Sequence, residues 1–149
     1  MATRAITFNK MNGFLADVFN SNLHDLDTDV FSMRLTSNVI AATDATNTAL
    51  TEVIGNNYTA GGIVLTTNVN IGANGELTLE ATDDVKWLED AAGFTDAATA
   101  VVYNDTASRI VSVADIRDGA TPVSSAAQDV DINLPNVNGS ANPDLLYIA

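Results

Sequence analysis

The sequence holds a single histidine, His24, which opens the stretch HDLDTDVFSMRL, where Asp25, Asp27 and Asp29 alternate ahead of an apolar run. Carboxylates at every second position begin a helix-loop-helix calcium site, in which oxygen ligands wrap a hard cation. Such a loop also needs glycine at its sixth position for the sharp turn and a bidentate carboxylate at its twelfth. Counting from Asp25, Val30 and Thr36 stand there instead. The pattern fails where it is most diagnostic. The aspartates read as a solvated approach to a strand, with His24 beside them as an exposed loop residue.

Other chemistries fare no better. With no cysteine in the chain, disulfides, thiolate metal sites and cysteine nucleophiles are excluded, and one histidine is too few for a His-rich metal site. No serine sits in a G-x-S-x-G elbow or a comparable setting. Nineteen acidic residues offer many carboxylate pairs for glycoside hydrolysis, yet such sites line aromatic clefts, and the chain has one Trp and three Tyr. Gly61 and Gly62 in NNYTAGGIVL lack the spacing of a phosphate-binding loop and are better explained as a turn into a strand. The expectation is a protein without catalytic residues, cofactor or metal.

The elements that would position any site can be read from periodicity. Met11, Phe14, Leu15, Val18 and Phe19 fall on one stripe of an α-helix, with Asn9 as its N-cap and Asn20 to Asn22 as its stop. After it the period changes to two. Phe31, Met33 and Leu35 alternate with Ser32 and Arg34, which predicts a strand with one buried and one wet face. Further strands are predicted at Gly62 to Thr66, Glu76 to Ala81, Ala100 to Tyr103, Arg109 to Ile116 and Asp129 to Leu134. Turn-forming clusters separate them at Gly55, Ala60, Gly72, Tyr103, Arg117 and Asn136. Only Thr43 to Val53 and Asp83 to Ala92 leave room for about two or three helical turns each. The expected fold is mainly β: an antiparallel β-sandwich or jelly-roll-like single domain over residues 1–149, with an N-terminal amphipathic α-helix and residues 1–9 as an N-terminal arm.

Composition narrows the partners. Nineteen acidic against six basic residues give a formal net charge of -13, and such a surface repels phosphate backbones, so nucleic acid and anionic membranes are poor partners. No apolar stretch approaches the roughly 20 residues needed to cross a bilayer, and the start MATRAITFNK lacks the apolar run of a signal peptide. A soluble protein is expected. The tail NPDLLYIA is apolar to its end, so Leu145, Leu146, Tyr147 and Ile148 should be held in the domain or against another chain.

Four stretches, in order, resemble small virion structural proteins of tailed bacteriophages. LDTDVFSMRLTSN is similar to that group's strand after an N-terminal helix, and GNNYTAGGIVLT to its turn and strand. VKWLEDAAGFTDAATAVVYNDTASRIVSVADI resembles its tryptophan strand, a second strand and a return strand, and DVDINLPNVNGSANPDLLYIA its closing strand and apolar terminus. The likeness spans about residues 10–149. It implies a virion component made in the host cytoplasm. On the physical grounds above, a capsid cement or decoration protein on the capsid exterior is favoured, binding the major capsid protein as a homotrimer. Ile6 and Phe8 of the arm and Leu145, Leu146, Tyr147 and Ile148 are the candidate contacts. A tail, baseplate or head-to-tail joining protein, and a glycan-binding β-sandwich using Trp87 and Tyr103, remain as alternatives.

Overall fold

In the segment TAVVYN, Thr99–Asn104, β-branched and aromatic residues suit a pleated strand, and Thr99, Ala100, Val101 and Val102 are all buried. Side chains of a strand alternate between faces, so burial at consecutive positions means that both faces are covered. A computed structural model, describing residues 6–71, 73–82, 85–132 and 144–148, shows how.

The chain runs β1 (Asn9–Lys10), α1 (Phe14–Phe19), β2 (Phe31–Thr36), β3 (Ile63–Leu65), β4 (Thr67–Ile71), β5 (Leu77–Ala81), β6 (Val85–Trp87), β7 (Thr99–Asn104), β8 (Arg109–Asp115), β9 (Val130–Ile132) and β10 (Asp144–Ile148). These strands form a five-stranded sheet in the order β1-β8-β7-β2-β3, a three-stranded sheet β10-β5-β4 and a two-stranded sheet β6-β9. Every described pairing between them is antiparallel. The protein is mainly β. One apolar core draws on all three sheets, with Met33, Leu35, Val101 and Val113 from the first, Leu79, Ala81 and Leu146 from the second, and Trp87 and Val130 from the third.

In β2 the alternation holds, but the second face is not wet. Ser32 and Thr36 are as buried as Phe31, Met33 and Leu35, and only Arg34 is partly exposed. Long irregular chain from Ser37 to Gly62 supplies the reason. Strand β3 pairs only with Phe31 to Met33, so the backbone of β2 beyond Met33 needs other partners. Val53 N–H donates to the Leu35 carbonyl at 3.1 Å, the Tyr58 hydroxyl accepts the Leu35 N–H at 3.2 Å, and Ser37 N–H donates to the Thr51 carbonyl at 2.8 Å. The stretch from Thr43 to Val53, long enough for a helix, instead makes turns up to Thr48 and runs along the edge of β2 only from Thr51.

The other helical option, Asp83 to Ala92, is replaced by β6, whose Val85 and Trp87 are buried while Lys86 between them is exposed. That is the alternation of a strand. Near the N-terminus, Asn9 is not an N-cap, because β1 pairs it with Val113. The helix is only six residues long, Met11 lies outside it, and Phe19 is 79% exposed, so the stripe from Met11 to Phe19 is not one buried helical face. Strands β1, β4 and β10 were not predicted as strands. The end of the segment predicted over Asp129 to Leu134, and the turn at Asn136, lie outside the described residues.

Gly62 shows how tightly the turn into β3 is set. Its φ is +72°, and a Cβ there would stand 2.0 Å from the Met33 carbonyl oxygen, whereas Gly61, at φ +94°, has open space where its Cβ would be. Gly62→Ala combines a left-handed backbone with a backbone clash and should cost about 3 kcal/mol, while Gly61→Ala should cost about 1 kcal/mol for conformation alone. Urea unfolding of the two variants measures the difference; equal losses would show that close approach at Gly62 has no energetic weight.

Candidate functional site

A dense polar cluster is built around Arg34, in the middle of β2. Its Nη1 donates to Glu52 Oε1 at 3.0 Å, its Nη2 to Asp105 Oδ1, and its Nε to Ser32 Oγ at 3.2 Å. The guanidinium also lies over the Tyr103 ring, 4.0 Å from its centroid. A planar fork with donors on several edges suits this, since each edge can meet a different acceptor while the flat face stacks on an aromatic ring. Asp105 is supplied by the turn between β7 and β8, and Glu52 by the extended chain beside β2.

Glu52 passes the constraint on. Its Oε2 accepts the Tyr58 hydroxyl at 2.8 Å and the Gly61 N–H at 2.7 Å. Burial pushes the Tyr58 hydroxyl far above the usual phenol range, so it stays a neutral donor. Its ring joins Trp87 and Phe94 in a buried aromatic trio, with centroids 6.0 to 6.3 Å apart. The guanidinium is met by two carboxylates, and the Tyr58 hydroxyl and Gly61 N–H are committed to Glu52, which makes the cluster a fastener between elements.

His24 is buried, in correction of the exposed loop position expected for it. The sequence had no signal for this, because its cover comes from far along the chain. The ring lies 4.8 Å from the Phe14 ring, and its Nδ1 meets Asn104 Nδ2 at 3.0 Å. Asp25 and Asp27 are exposed as expected, but Asp29 turns back to accept from Asn104 Nδ2 at 2.6 Å. Asn22, Asp25, Leu26, Asp27, Val69 and Leu77 line a hollow of about 360 Å³ beside His24. Among the described residues no group of three or more His, Asp or Glu side chains is placed to hold a metal ion.

Of the predicted contact residues, Ile6 is 7% exposed and belongs to the core, and Phe8 is half-buried against it. The expected arm therefore does not extend as far as residue 9, and Met1 to Ala5 lie outside the described residues. Leu146 is also a core residue, on a strand whose backbone pairs with β5. The side chains of Leu145, Tyr147 and Ile148 lie outside the described residues. Trp87 is 4% exposed and Tyr103 is covered by Arg34, so the two do not share an open aromatic platform.

Sequence reasoning missed the exposed apolar residues of the connecting loops. Ile54 is 90% exposed and Leu88 64%, and their loops are joined by Asn56 N–H to the Ala92 carbonyl and by Asn57 Nδ2 to the Leu88 carbonyl. Neither residue belongs to a periodic run, so nothing in the pattern singled them out. No family model, curated protein or solved structure matches the chain.

If the Arg34 cluster is a fastener, geometry matters as well as charge. Arg34→Lys keeps the cation but cannot span Glu52, Asp105 and Ser32 together, and should lose about 1–3 kcal/mol in urea unfolding. A double-mutant cycle of Arg34→Met with Glu52→Gln should give a coupling of about 1–2 kcal/mol; additive losses would mean that the pair is not coupled.

Proposed function

We propose that this protein is a structural component of a tailed-bacteriophage virion, a cement or decoration protein that binds the outer face of the major capsid protein lattice as a homotrimer. The observation that carries this reading is the order of the resemblance and where it falls. LDTDVFSMRLTSN runs into β2, GNNYTAGGIVLT covers the turn at Gly62 and β3, the stretch from Val85 to Ile116 covers β6, β7 and β8, and the closing stretch covers β9 and β10. Likeness concentrated in strands that pair with one another is what a shared scaffold requires.

In architecture we read the two smaller sheets as a second layer facing the five-stranded one, in a sandwich of jelly-roll-like kind with the helical segment at its N-terminal side. Burial of β7 on both faces supports this. Such a brick would act by adhesion. Ile54 and Leu88 give it apolar surface on adjoining loops, and about 200 Å² of such surface per copy contributes on the order of 5 kcal/mol before the costs of association. Pressure from packaged DNA would then have to break those contacts as well as the lattice itself. The net charge of -13 keeps the subunit soluble before assembly and away from the nucleic acid.

Quantitative gel analysis of purified particles should find hundreds of copies of this chain per virion, as lattice decoration demands. A few dozen copies would replace the reading with a tail, baseplate or joining protein, and absence from particles would remove it. Purified subunits should rebind undecorated heads, and Ile54→Asp with Leu88→Asp should weaken rebinding at least about tenfold, the equivalent of about 1.4 kcal/mol, with thermal unfolding little changed. Unaltered rebinding would shift the contact to another face.

A further inference from the structure

Asn104, the last residue of β7, holds the two ends of the segment 24–30 at once. Its Nδ2 donates to His24 Nδ1 at 3.0 Å and to Asp29 Oδ2 at 2.6 Å, while its Oδ1 accepts the Ala107 N–H at 2.8 Å. The Ala107 bond fixes which end of the amide is oxygen, since a backbone N–H can only donate. The nitrogen end must therefore face His24, and His24 Nδ1 must be the unprotonated acceptor. The imidazole is then neutral with its proton on Nε2, and that atom is buried without a hydrogen-bond partner.

The surroundings leave the ring little freedom. On the α1 side Asp17 Oδ2 lies 3.9 Å from Nε2, too far for a hydrogen bond, and it already accepts the Thr46 hydroxyl. Asp29 shares the Asn104 nitrogen, and Arg109 of β8 adds a positive charge to the same neighbourhood. The segment itself is clipped to the β7–β8 turn by Val30 N–H to Thr106 Oγ1 at 3.0 Å and by Asp105 N–H to the Val30 carbonyl at 2.8 Å.

We propose that His24 is the pin of an acid-sensitive latch: a proton gained at Nδ1 puts two donors face to face with Asn104 and releases segment 25–30 from the β7–β8 turn. Neither side can adapt in place. Rotating the Asn104 amide breaks its bonds to Ala107 and Asp29, and withdrawing the imidazole exposes the Phe14 face that it covers. Burial holds the imidazole below its ordinary value, outweighing the attraction of Asp17 and Asp29, with Arg109 acting in the same sense as burial. The unfolded chain takes up the proton near pH 6.5, which the folded state resists. The latch thus contributes its full stability above about pH 6.5 and loses it as pH falls through the lower folded value.

Nuclear magnetic resonance of the full chain tests this directly. At pH 7 the His24 ring nitrogens should report the Nε2–H tautomer, and the ring should titrate below pH 6.5; the other tautomer, or a value at or above 6.5, overturns the proposal. Between pH 7 and pH 5, amide exchange at Asp25, Asp29, Val30 and Ala107, corrected for intrinsic rates, should accelerate several-fold, because the released ring takes up the proton that the closed latch resists. His24→Asn keeps an acceptor toward Asn104 but cannot titrate, and should abolish the acceleration. If wild type and variant accelerate alike, the carboxylates are responsible and His24 is no pin; if the variant does not fold, the tautomer and titration of the wild-type ring decide alone.

Discussion

An arginine at the centre of a strand covered on both sides has to be surrounded by acceptors, and much of this fold can be traced to that requirement. Arg34 draws Asp105 from the β7–β8 turn and Glu52 from the chain beside β2. Glu52 then fixes the Tyr58 hydroxyl and the Gly61 N–H, and Tyr58 brings Trp87 and Phe94 together. One buried-side cation thereby connects β2, the β7–β8 turn, the loop before β3, and β6. Removing Arg34 leaves two part-buried carboxylates without their cation, which is more costly than the intact pairing is favourable. The irregular stretch from Ser37 to Gly62 is anchored in the core by Ile40, Val53 and Tyr58, and this chain of bonds helps to define its course.

Much of the β character could be read from residue order alone. Short apolar or alternating runs bounded by Gly- or Asn-bearing turns located β2, β5, β7 and β8 within a residue or two of their observed limits. A two-residue strand carries too little pattern to be seen, which accounts for β1. Strand β4, TNVNI, alternates polar and apolar residues at a sheet edge with neither face fully buried, so its signal is weak. Val85 to Trp87 lay inside the longer stretch Asp83 to Ala92 that had room for helical turns, and pairing with β9 makes it a strand.

The site was less legible than the fold. Arg34 was read as the wet face of β2, and His24 as an exposed loop residue; both errors arise from partners more than 70 residues away, Asp105 and Asn104. Local sequence cannot show that two adjacent residues of one hairpin will close over the other end of the domain. In the same way Ile54 and Leu88 are isolated in the sequence, and their loops adjoin only through the bonds at Asn56 and Asn57. Residues near the ends attracted attention because they are apolar and terminal, yet Ile6 and Leu146 are used internally.

The five-stranded sheet ends on β1 and β3, strands of two and three residues. Unpaired backbone along a sheet margin can recruit a foreign strand, and short margins offer too few hydrogen bonds for that recruitment to hold. Beyond β3, the donors and acceptors of β2 are already taken by Val53 and Tyr58. At the five-stranded sheet, resistance to zipping into fibrils thus resides in stunted borders as much as in net charge.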